Sequence, residues 1–256
     1  MRTLTLSPDR VSIGTFIKTD SPHVVEVLGT TAMDFGIVDA EHAPFDRAGL
    51  DRMMLAGRAA DLPLLVRVPD FSSTWIQSAL DVDAAGILVP HVDSADDART
   101  VVSRARFRGG SRGFSASARF GGYATSTRDA AITRGDSSII LAQIESEEAL
   151  NAVEAILAVP GILGVFIGRA DLGMSMGIED PRDARILEAS RHIVAATLKA
   201  GKVASMNAAT VQEAATYAAW GVSCFVIGSD QSLLRGAAQG VADPDGKSLR
   251  AALAKP

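Results

Sequence analysis

The stretch LLVRVPDFSSTWIQSALDVDAAGILVP, residues 64–90, contains the unit from which the fold of the whole chain can be predicted. It begins with an apolar run at 64–68 and ends with another at 86–90, and between them Ile76 and Leu80 recur at helical spacing. Runs rich in Val, Ile and Leu with little polar alternation are typical of parallel strands that are buried on both faces. The stretch therefore predicts a strand, a helix and a second strand parallel to the first.

The same alternation extends along the chain in both directions. The apolar runs lie at residues 12–17, 35–39, 64–68, 86–90, 139–144, 163–168, 203–206 and 224–228. Eight such runs, separated by helical stretches, predict an α/β fold, a (β/α)8 TIM barrel. The alternative is a doubly wound open sheet, but the Gly-x-Gly-x-x-Gly motif that usually follows an early strand of such a sheet is not found there.

The chain is predicted to form one domain, residues 1–256, because no composition break or long linker divides it. Asp180 and Pro181, a cap followed by a proline at the first helical position, predict the start of a long helix that Gly201 ends. Residues 107–136 interrupt the regular alternation with a stretch rich in Gly, Ser and Arg. Loops of this length inside a compact domain are usually functional or contact a partner.

The composition excludes several classes of protein. Apolar residues make up 47% of the chain and charged residues 21%, a balance typical of globular proteins. The net charge of −5 disfavours nucleic acid or an anionic membrane as a partner, and one cysteine excludes an internal disulfide framework. No run approaches the ~18 apolar residues of a membrane helix, and the N-terminus lacks the apolar core of a signal peptide, so a cytoplasmic location is expected.

Polar side chains occur at the carboxyl ends of five predicted strands, where TIM barrels carry their chemistry. They are Asp39, Glu41, His42, Arg67, His91, Gln143, Glu145, Arg169 and Asp171. Buried charges are costly unless they are paired or bound to metal. We therefore expect these groups to meet at the mouth of the barrel and to form a site there.

Two of these groups are carboxylates on neighbouring strands. Glu145 and Asp171 are 26 residues apart, which is one strand–helix unit. Two carboxylates without a cysteine suit a hard divalent ion such as Mg²⁺ or Mn²⁺. The alternative for Glu145 is a helix cap or an ion pair with an arginine.

Arg67 and the two histidines have both functional and structural interpretations. A guanidinium in an apolar strand requires a carboxylate, a phosphate or an enolate oxygen, so Arg67 is either a substrate contact or an ion pair with Asp39 or Glu41. His42 is a candidate for proton transfer, with a helix cap or a core histidine as the alternative. His91 is placed similarly, but a catalytic role is not favoured for it.

Six short motifs follow one another along nearly the whole chain. They are VDAEHAP at 38–44, LVRVP at 65–69, GILVP at 86–90, SRG at 111–113, QIE at 143–145 and ADLGMSMG at 170–177. On these motifs the chain resembles the HpcH/HpaI family of class II, metal-dependent pyruvate aldolases, which act on 4-hydroxy-2-oxoheptanedioate or 2-keto-3-deoxy sugar acids. The resemblance implies a barrel of the phosphoenolpyruvate/pyruvate-binding type. It also implies homo-oligomers, commonly hexamers built as trimers of dimers, in which each dimer exchanges the last helix.

The resemblance implies a role for each matching position. Glu145 and Asp171 match the ligands of a divalent metal ion, Mg²⁺, Mn²⁺ or Co²⁺. Arg67 matches the arginine beside the keto oxygen of pyruvate. His42 matches the catalytic histidine, with Asp39 as its acidic neighbour and Asp81 as the aspartate that pairs with it.

The same resemblance implies the substrate contacts. Gln143 matches a polar group on the substrate side, and backbone amides near Ala170 and Asp171, where a helix begins, would hold the pyruvate carboxylate. Arg169 departs from the family pattern, which has a proline beside this pocket, and is expected to affect its shape and charge. Specificity for the aldehyde is expected from residues 107–136, Arg169 and a neighbouring subunit.

The reaction implied is the reversible cleavage of a 4-hydroxy-2-oxo acid to pyruvate and an aldehyde through a metal-stabilised enolate. Three alternatives remain open from the residues. A Schiff-base aldolase would use Lys18, just past the first strand. An acyl-CoA lyase of the same superfamily is disfavoured because no basic extension for coenzyme A is evident, and a non-catalytic barrel would bind a small anion at Gly228, Ser229 and Asp230.

Overall fold

Eight parallel strands close into a barrel in which each strand is hydrogen-bonded to the next along the chain and the last to the first. The computed structural model describes residues 2–180 and 182–243. The strands are β1 (Ser12–Ile17), β2 (Phe35–Asp39), β3 (Leu64–Arg67), β4 (Gly86–Val89), β5 (Ile139–Ile144), β6 (Gly164–Ile167), β7 (Val203–Ala208) and β8 (Cys224–Ser229). The prediction of a (β/α)8 barrel is confirmed, and the strand boundaries agree closely with the apolar runs.

Helices follow the strands and surround the barrel. They are α1 (Pro22–Gly29), α2 (Arg47–Ala59), α3 (Ser73–Asp81), α4 (Ala95–Ala105), α5 (Arg128–Asp136), α6 (Glu147–Asn151), α7 (Val153–Leu157), α8 (Arg169–Ser175), α9 (Ala184–Lys199), α10 (Val211–Ala218) and α11 (Asp230–Ala242). None of the helices within the described ranges has the length and apolar character needed to cross a membrane.

The long helix α9 begins later than predicted. Its cap is Asp183, whose carboxylate accepts from the Arg185 amide at 2.9 Å, rather than Asp180. Asp183 satisfies an amide of the first helical turn, and the buried face of α9 begins at Ile186. Pro181, the predicted first helical residue, lies outside the described residues.

The alternation of side chains along each strand explains why the polar groups converge. The barrel interior is filled by one apolar cluster, which includes Phe16, Ile37, Leu65 and Leu141. Successive side chains of a strand point to opposite faces, so the residue two positions later points inward again. Those next inward positions are Lys18, Asp39, Arg67 and Gln143. The carboxyl end of the barrel is therefore closed by charged and amide groups instead of apolar ones.

Residues 107–136 connect the end of α4 to the start of β5, which places them at the amino-terminal end of the barrel, opposite the polar mouth. The short 3-10 helix Arg119–Gly121 lies against α3 and α5, and Arg119 donates to the Asp51 carboxylate on α2 at 2.7 Å. Within one chain this segment does not reach the mouth. The expectation that it determines specificity would therefore require a second copy of the chain.

The helix α11 does not cover the barrel of its own chain. No residue of α11 is buried, and Leu234 and Val241 are 73% and 70% exposed. Ile13, on the outer face of β1, also remains 40% exposed. Residues 244–256, the end of the predicted single domain, lie outside the described residues.

Candidate active site

The centre of the mouth is a buried ion pair between β2 and β3. Arg67 donates from Nε and Nη2 to the two oxygens of Asp39, at 2.9 and 2.7 Å, and Lys18 Nζ lies 3.1 Å from the same carboxylate. Burial alone would raise the pKa of Asp39, but the hydrogen bonds and charge of Arg67, with contributions from the His42 amide and Lys18, outweigh it and lower this pKa. Asp39 is therefore a fixed carboxylate shared by two cations.

Asp39 also shapes the loop that follows β2. Its Oδ1 accepts hydrogen bonds from the amides of Glu41 and His42, at 3.3 and 3.1 Å. Such a turn directs the next two side chains to different environments. The Glu41 side chain is only 9% exposed and points into the site, whereas the His42 side chain is 53% exposed, with Nε2 3.7 Å from Glu41 Oε2.

Glu41 lies beside Arg67 without being fully paired. Arg67 Nη1 is 3.2 Å from Glu41 Oε2, but this buried oxygen accepts no hydrogen bond within the described chain. Burial raises the pKa of Glu41, as does the nearby charge of Glu145, and Arg67 and the two histidines oppose the shift only in part. Arg67 thus forms ion pairs with both Asp39 and Glu41, the two partners that the sequence offered as its structural alternative. Both ion pairs lie at the mouth of the barrel.

Glu145 follows Gln143 on the inward-facing row of β5. Its Oε1 accepts from the His91 amide at 2.8 Å and lies 3.3 Å from His91 Nδ1, and its Oε2 accepts from Gln143 Nε2. The side-chain amide oxygen of Gln143, Oε1, is buried without a hydrogen-bond partner in the described part of the protein. Ser146, not Glu145, caps α6, so the helix-cap alternative for Glu145 is wrong.

Glu41, His91 and Glu145 together form a group that fits a metal ion. Each offers one ligand atom, and these atoms lie within 4.8 Å of one another. The two oxygens without hydrogen bonds, on Glu41 and Gln143, belong to the same region. A cation would satisfy carboxylate oxygens that the protein leaves partly unpaired, so the donor set fits a divalent ion.

Asp171, predicted as the second metal ligand, lies in the first turn of α8. It is the third residue of α8, is exposed, and is not a member of the group of three. The start of α8 is nevertheless close to Glu145, because a Cβ built on Gly168 would lie 3.1 Å from Glu145 Oε2. The first turn of α8, with Ala170 and Asp171, therefore begins beside Glu145.

Sequence reasoning did not identify Glu41 and His91 as possible ligands. From the sequence, Glu41 is only a possible ion-pair partner of Arg67, and a catalytic role is not favoured for His91. Both follow strand ends, which was the available signal. The turn made by Asp39 and the positive φ of His91, +54°, decide where the two side chains point, and neither is visible in the sequence.

Arg169 turns away from the pocket. Its Nη2 donates to Glu213 Oε1 on α10 at 2.7 Å, and its guanidinium lies 4.9 Å from the centre of the Tyr217 ring. The positive charge is thus neutralised by a carboxylate on the neighbouring helix, and Arg169 connects α8 to α10.

Asp81 does not lie beside His42 of the same chain. It is the last residue of α3, which starts after β3 and returns to the amino-terminal end of the barrel. There its carboxylate accepts from Arg112 at 2.8 Å and from Gln77 at 3.3 Å.

The structure also locates the residues of two alternative functions, the lysine of a Schiff-base aldolase and the loop of an anion-binding barrel. Lys18 reaches the mouth but is paired with Asp39. The Asp230 carboxylate accepts from the amides of Lys18 and Thr19, at 2.8 and 3.1 Å, and the Ser229 amide donates to Ser232 Oγ. The loop proposed for a small anion is therefore largely engaged in internal hydrogen bonds.

Comparisons with known proteins agree with the fold. The sequence profile of the HpcH/HpaI aldolase/citrate lyase family matches residues 12–237. The chain is 34% identical over 240 residues to a 5-keto-4-deoxy-D-glucarate aldolase of Klebsiella pneumoniae, a match that covers 93% of each chain. It is 34% identical over 233 residues to a 2-keto-3-deoxy-L-rhamnonate aldolase of Escherichia coli, covering 89% of this chain and 86% of the relative.

A solved structure of the same family has the same fold. A HpcH/HpaI aldolase/citrate lyase family protein from Burkholderia cenocepacia superposes with a TM-score of 0.86 at 30% identity, covering 91% of this chain and 94% of that one. The sequence-based predictions of the family, the barrel and an aldolase are confirmed. The chain belongs to the HpcH/HpaI aldolase/citrate lyase family.

Proposed function

We propose that this aldolase cleaves a 4-hydroxy-2-oxo acid derived from a sugar acid, reversibly, to pyruvate and an aldehyde, with a divalent ion held at the mouth of the barrel. The observation that carries the proposal is the buried Glu145 carboxylate beside Glu41, whose Oε2 lies 3.2 Å from Arg67 Nη1 and accepts no hydrogen bond from the described residues. The substrate class is supported by the sugar-acid substrates in the names of the relatives.

Glu145 is proposed to hold the ion, with Asp171 as the second carboxylate that the family resemblance implies. Mg²⁺, Mn²⁺ and Co²⁺ are all compatible with oxygen ligands. A bound divalent ion supplies a Lewis acid that stabilises the negative charge of the pyruvate enolate.

The other side chains bind and orient the substrate. Arg67 contributes a second positive charge where the enolate oxygen develops, and Gln143, fixed by its bond to Glu145, contacts the substrate from the same side. The backbone amides of Ala170 and Asp171, in the first turn of α8, would bind the pyruvate carboxylate.

His42 is proposed to take the proton of the 4-hydroxyl group during cleavage and to return it during synthesis. Its side chain is exposed at the mouth, where a substrate can reach it. Because Asp81 of the same chain lies at the other end of the barrel, a pairing of His42 with Asp81 requires a neighbouring copy of the chain.

The test is deuterium exchange at C3 of pyruvate, because this exchange requires the enolate but no knowledge of the aldehyde. We expect exchange with Mg²⁺, Mn²⁺ or Co²⁺ and its loss in EDTA. Exchange that persists in EDTA, together with borohydride trapping of pyruvate on Lys18, would instead support Schiff-base chemistry. No exchange under any condition would contradict an aldolase mechanism.

A methyl group at Gly168 is expected to disturb the metal site. In Gly168→Ala the new Cβ would lie 2.9 Å from Glu145 Cβ and 3.1 Å from its Oε2, so Glu145 has to move. Because displacements of ~1 Å can cost about 100-fold in rate, we expect a loss of this order in the exchange rate. Thermal unfolding would show that the variant remains folded, and an unchanged rate would contradict the position proposed for Glu145.

We propose that the chain forms a homo-oligomer, a hexamer built as a trimer of dimers, in which α11 packs on a neighbouring copy. The exposed Leu234 and Val241 are seven residues apart on one face of α11, and exposed Ile13 on β1 offers an apolar surface. Exposed apolar patches on a folded chain often mark sites of contact between proteins.

Replacing Leu234 and Val241 with Asp is expected to dissociate the oligomer. Burial of each side chain contributes about 1.5–3 kcal/mol, which the carboxylates would remove. Light scattering after size exclusion would report a smaller species. Gln239→Asp, on a different face of the same helix, is the matched control and should leave the mass unchanged. The wild-type mass in the double variant would contradict the exchange of α11.

A further inference from the structure

His91 occupies a position in the mouth that the proposed mechanism does not use. It follows β4, and its ring lies between two carboxylates. Nδ1 is 3.3 Å from Glu145 Oε1, and Nε2 is 3.6 Å from Glu41 Oε1. Both ring nitrogens therefore face groups that we have argued to be available to a cation.

The backbone holds His91 in this place. Its amide donates to Glu145 Oε1 at 2.8 Å, and its φ is +54°. Residues other than glycine rarely adopt this conformation, although histidine does so more often than most. The bond between the amide and Glu145 thus fixes the ring next to the carboxylate that is proposed to bind the metal.

Glu41 provides an independent indication that this group binds a ligand. Its side chain is more than nine-tenths buried, and Oε2 lies 3.2 Å from Arg67 Nη1 but accepts no hydrogen bond from the described residues. A buried carboxylate oxygen normally has a hydrogen-bond partner. A cation held by Glu41, His91 and Glu145 would satisfy it.

We propose that His91 is a nitrogen ligand of the metal and that it shifts the preference of the site from Mg²⁺ towards Co²⁺ and Zn²⁺. The inference rests on the proposed function, because it concerns the same metal. Carboxylates alone suit Mg²⁺ and Mn²⁺, whereas an imidazole suits Zn²⁺ and other later transition metals. Glu41 and Glu145 supply the oxygen ligands, and His91 supplies the group that discriminates between the two classes of ion.

The experiment compares metal binding by the metal-free wild-type protein and His91→Gly. Glycine keeps the positive φ, so the loop conformation is retained. Calorimetric titration with Co²⁺ and Zn²⁺ should show affinity weakened by at least about 10–100-fold, the range already seen when only outer groups of metal sites are changed. Mg²⁺ affinity should change much less. The visible absorption of bound Co²⁺ should also differ between the two proteins.

Two further proteins make the result decisive. His192→Gln removes an exposed histidine on α9 and should bind Co²⁺ like the wild type. His91→Asn, which also tolerates a positive φ, should lose Co²⁺ preference because its amide offers no imidazole nitrogen.

Equal Co²⁺ affinity and identical spectra in the wild type and His91→Gly would overturn the inference. Metal-dependent pyruvate exchange would then still support the proposed function, because it does not depend on which groups hold the ion. Conversely, a Co²⁺ site that depends on His91 without any pyruvate exchange would support the inference and contradict the proposed function.

Discussion

Replacing Arg67 with Ala is expected to lower kcat by about two orders of magnitude or more. The guanidinium lies at the mouth between Asp39 and Glu41, and it is proposed to face the oxygen on which negative charge develops. If it contributes ~3 kcal/mol at the transition state, its loss costs at least about 100-fold. The measurement is the rate of metal-dependent pyruvate exchange, together with aldol cleavage once an aldehyde partner is found.

The same substitution should also destabilise the protein. Asp39 is completely buried, and without Arg67 its one charged partner among the described residues would be Lys18. Breaking a buried ion pair by removing one partner typically costs about 3–5 kcal/mol. Thermal unfolding of Arg67→Ala should therefore shift to lower temperature, and the exchange rate must be measured where the variant is folded.

Arg67→Lys separates the two effects. A lysine retains the positive charge beside Asp39 but cannot reproduce the two parallel hydrogen bonds of the guanidinium. We expect most of the stability to return while the rate remains low. Full activity in a folded Arg67→Ala variant would show that this arginine serves only as a structural ion pair.

The alternation of apolar runs with helical stretches was sufficient to predict the barrel, and the polar residues at the ends of those runs predicted the composition of its mouth. Each strand end continues an inward-facing row, so Asp39, Arg67 and Gln143 had to converge once the strands were correctly identified. The pairing of Arg67 with Asp39 was likewise foreseen as an alternative, because a buried arginine must find a carboxylate.

Directions of side chains beyond the strand ends could not be predicted. Glu41 and His42 are adjacent in sequence, yet the Asp39 turn buries one and exposes the other. The positive φ of His91 is set by a bond to Glu145, 54 residues away, which no local pattern reveals. Long-range contacts of this kind bring Glu41, His91 and Glu145 together. Short sequence motifs do not reveal such contacts.

The locations of Asp81 and Arg169 depend on elements that the motifs do not describe. The nine residues of α3 rise roughly 13 Å, which carries Asp81 away from the strand end at which α3 begins. Arg169 follows Gly168 at the mouth, but Glu213 on α10 draws its guanidinium outward. A match to a family motif therefore identifies a residue by its position in the sequence. It does not show which side chains that residue contacts in the fold.

Glu145→Gln is expected to abolish metal binding and pyruvate exchange together. The amide has nearly the same shape as the carboxylate and can still accept from the His91 amide, so the fold should be preserved. It lacks the negative charge that a hard divalent ion requires from its oxygen ligands. We expect at least a ~100-fold loss of Mn²⁺ affinity by calorimetry, since changes of outer groups alone typically cost about 10–100-fold at metal sites.

Asp171→Asn decides which residues complete the site. If the resemblance assigns the second carboxylate correctly, Asn at 171 should weaken Mn²⁺ binding almost as strongly as Gln at 145. Glu148→Gln, an exposed carboxylate on α6, is the matched control and should have no effect. Full Mn²⁺ affinity in Asp171→Asn, with loss in Glu145→Gln, would mean that Glu41, His91 and Glu145 hold the ion without Asp171. Arg67 would then compete with the metal for Glu41, because its Nη1 lies 3.2 Å from the same carboxylate.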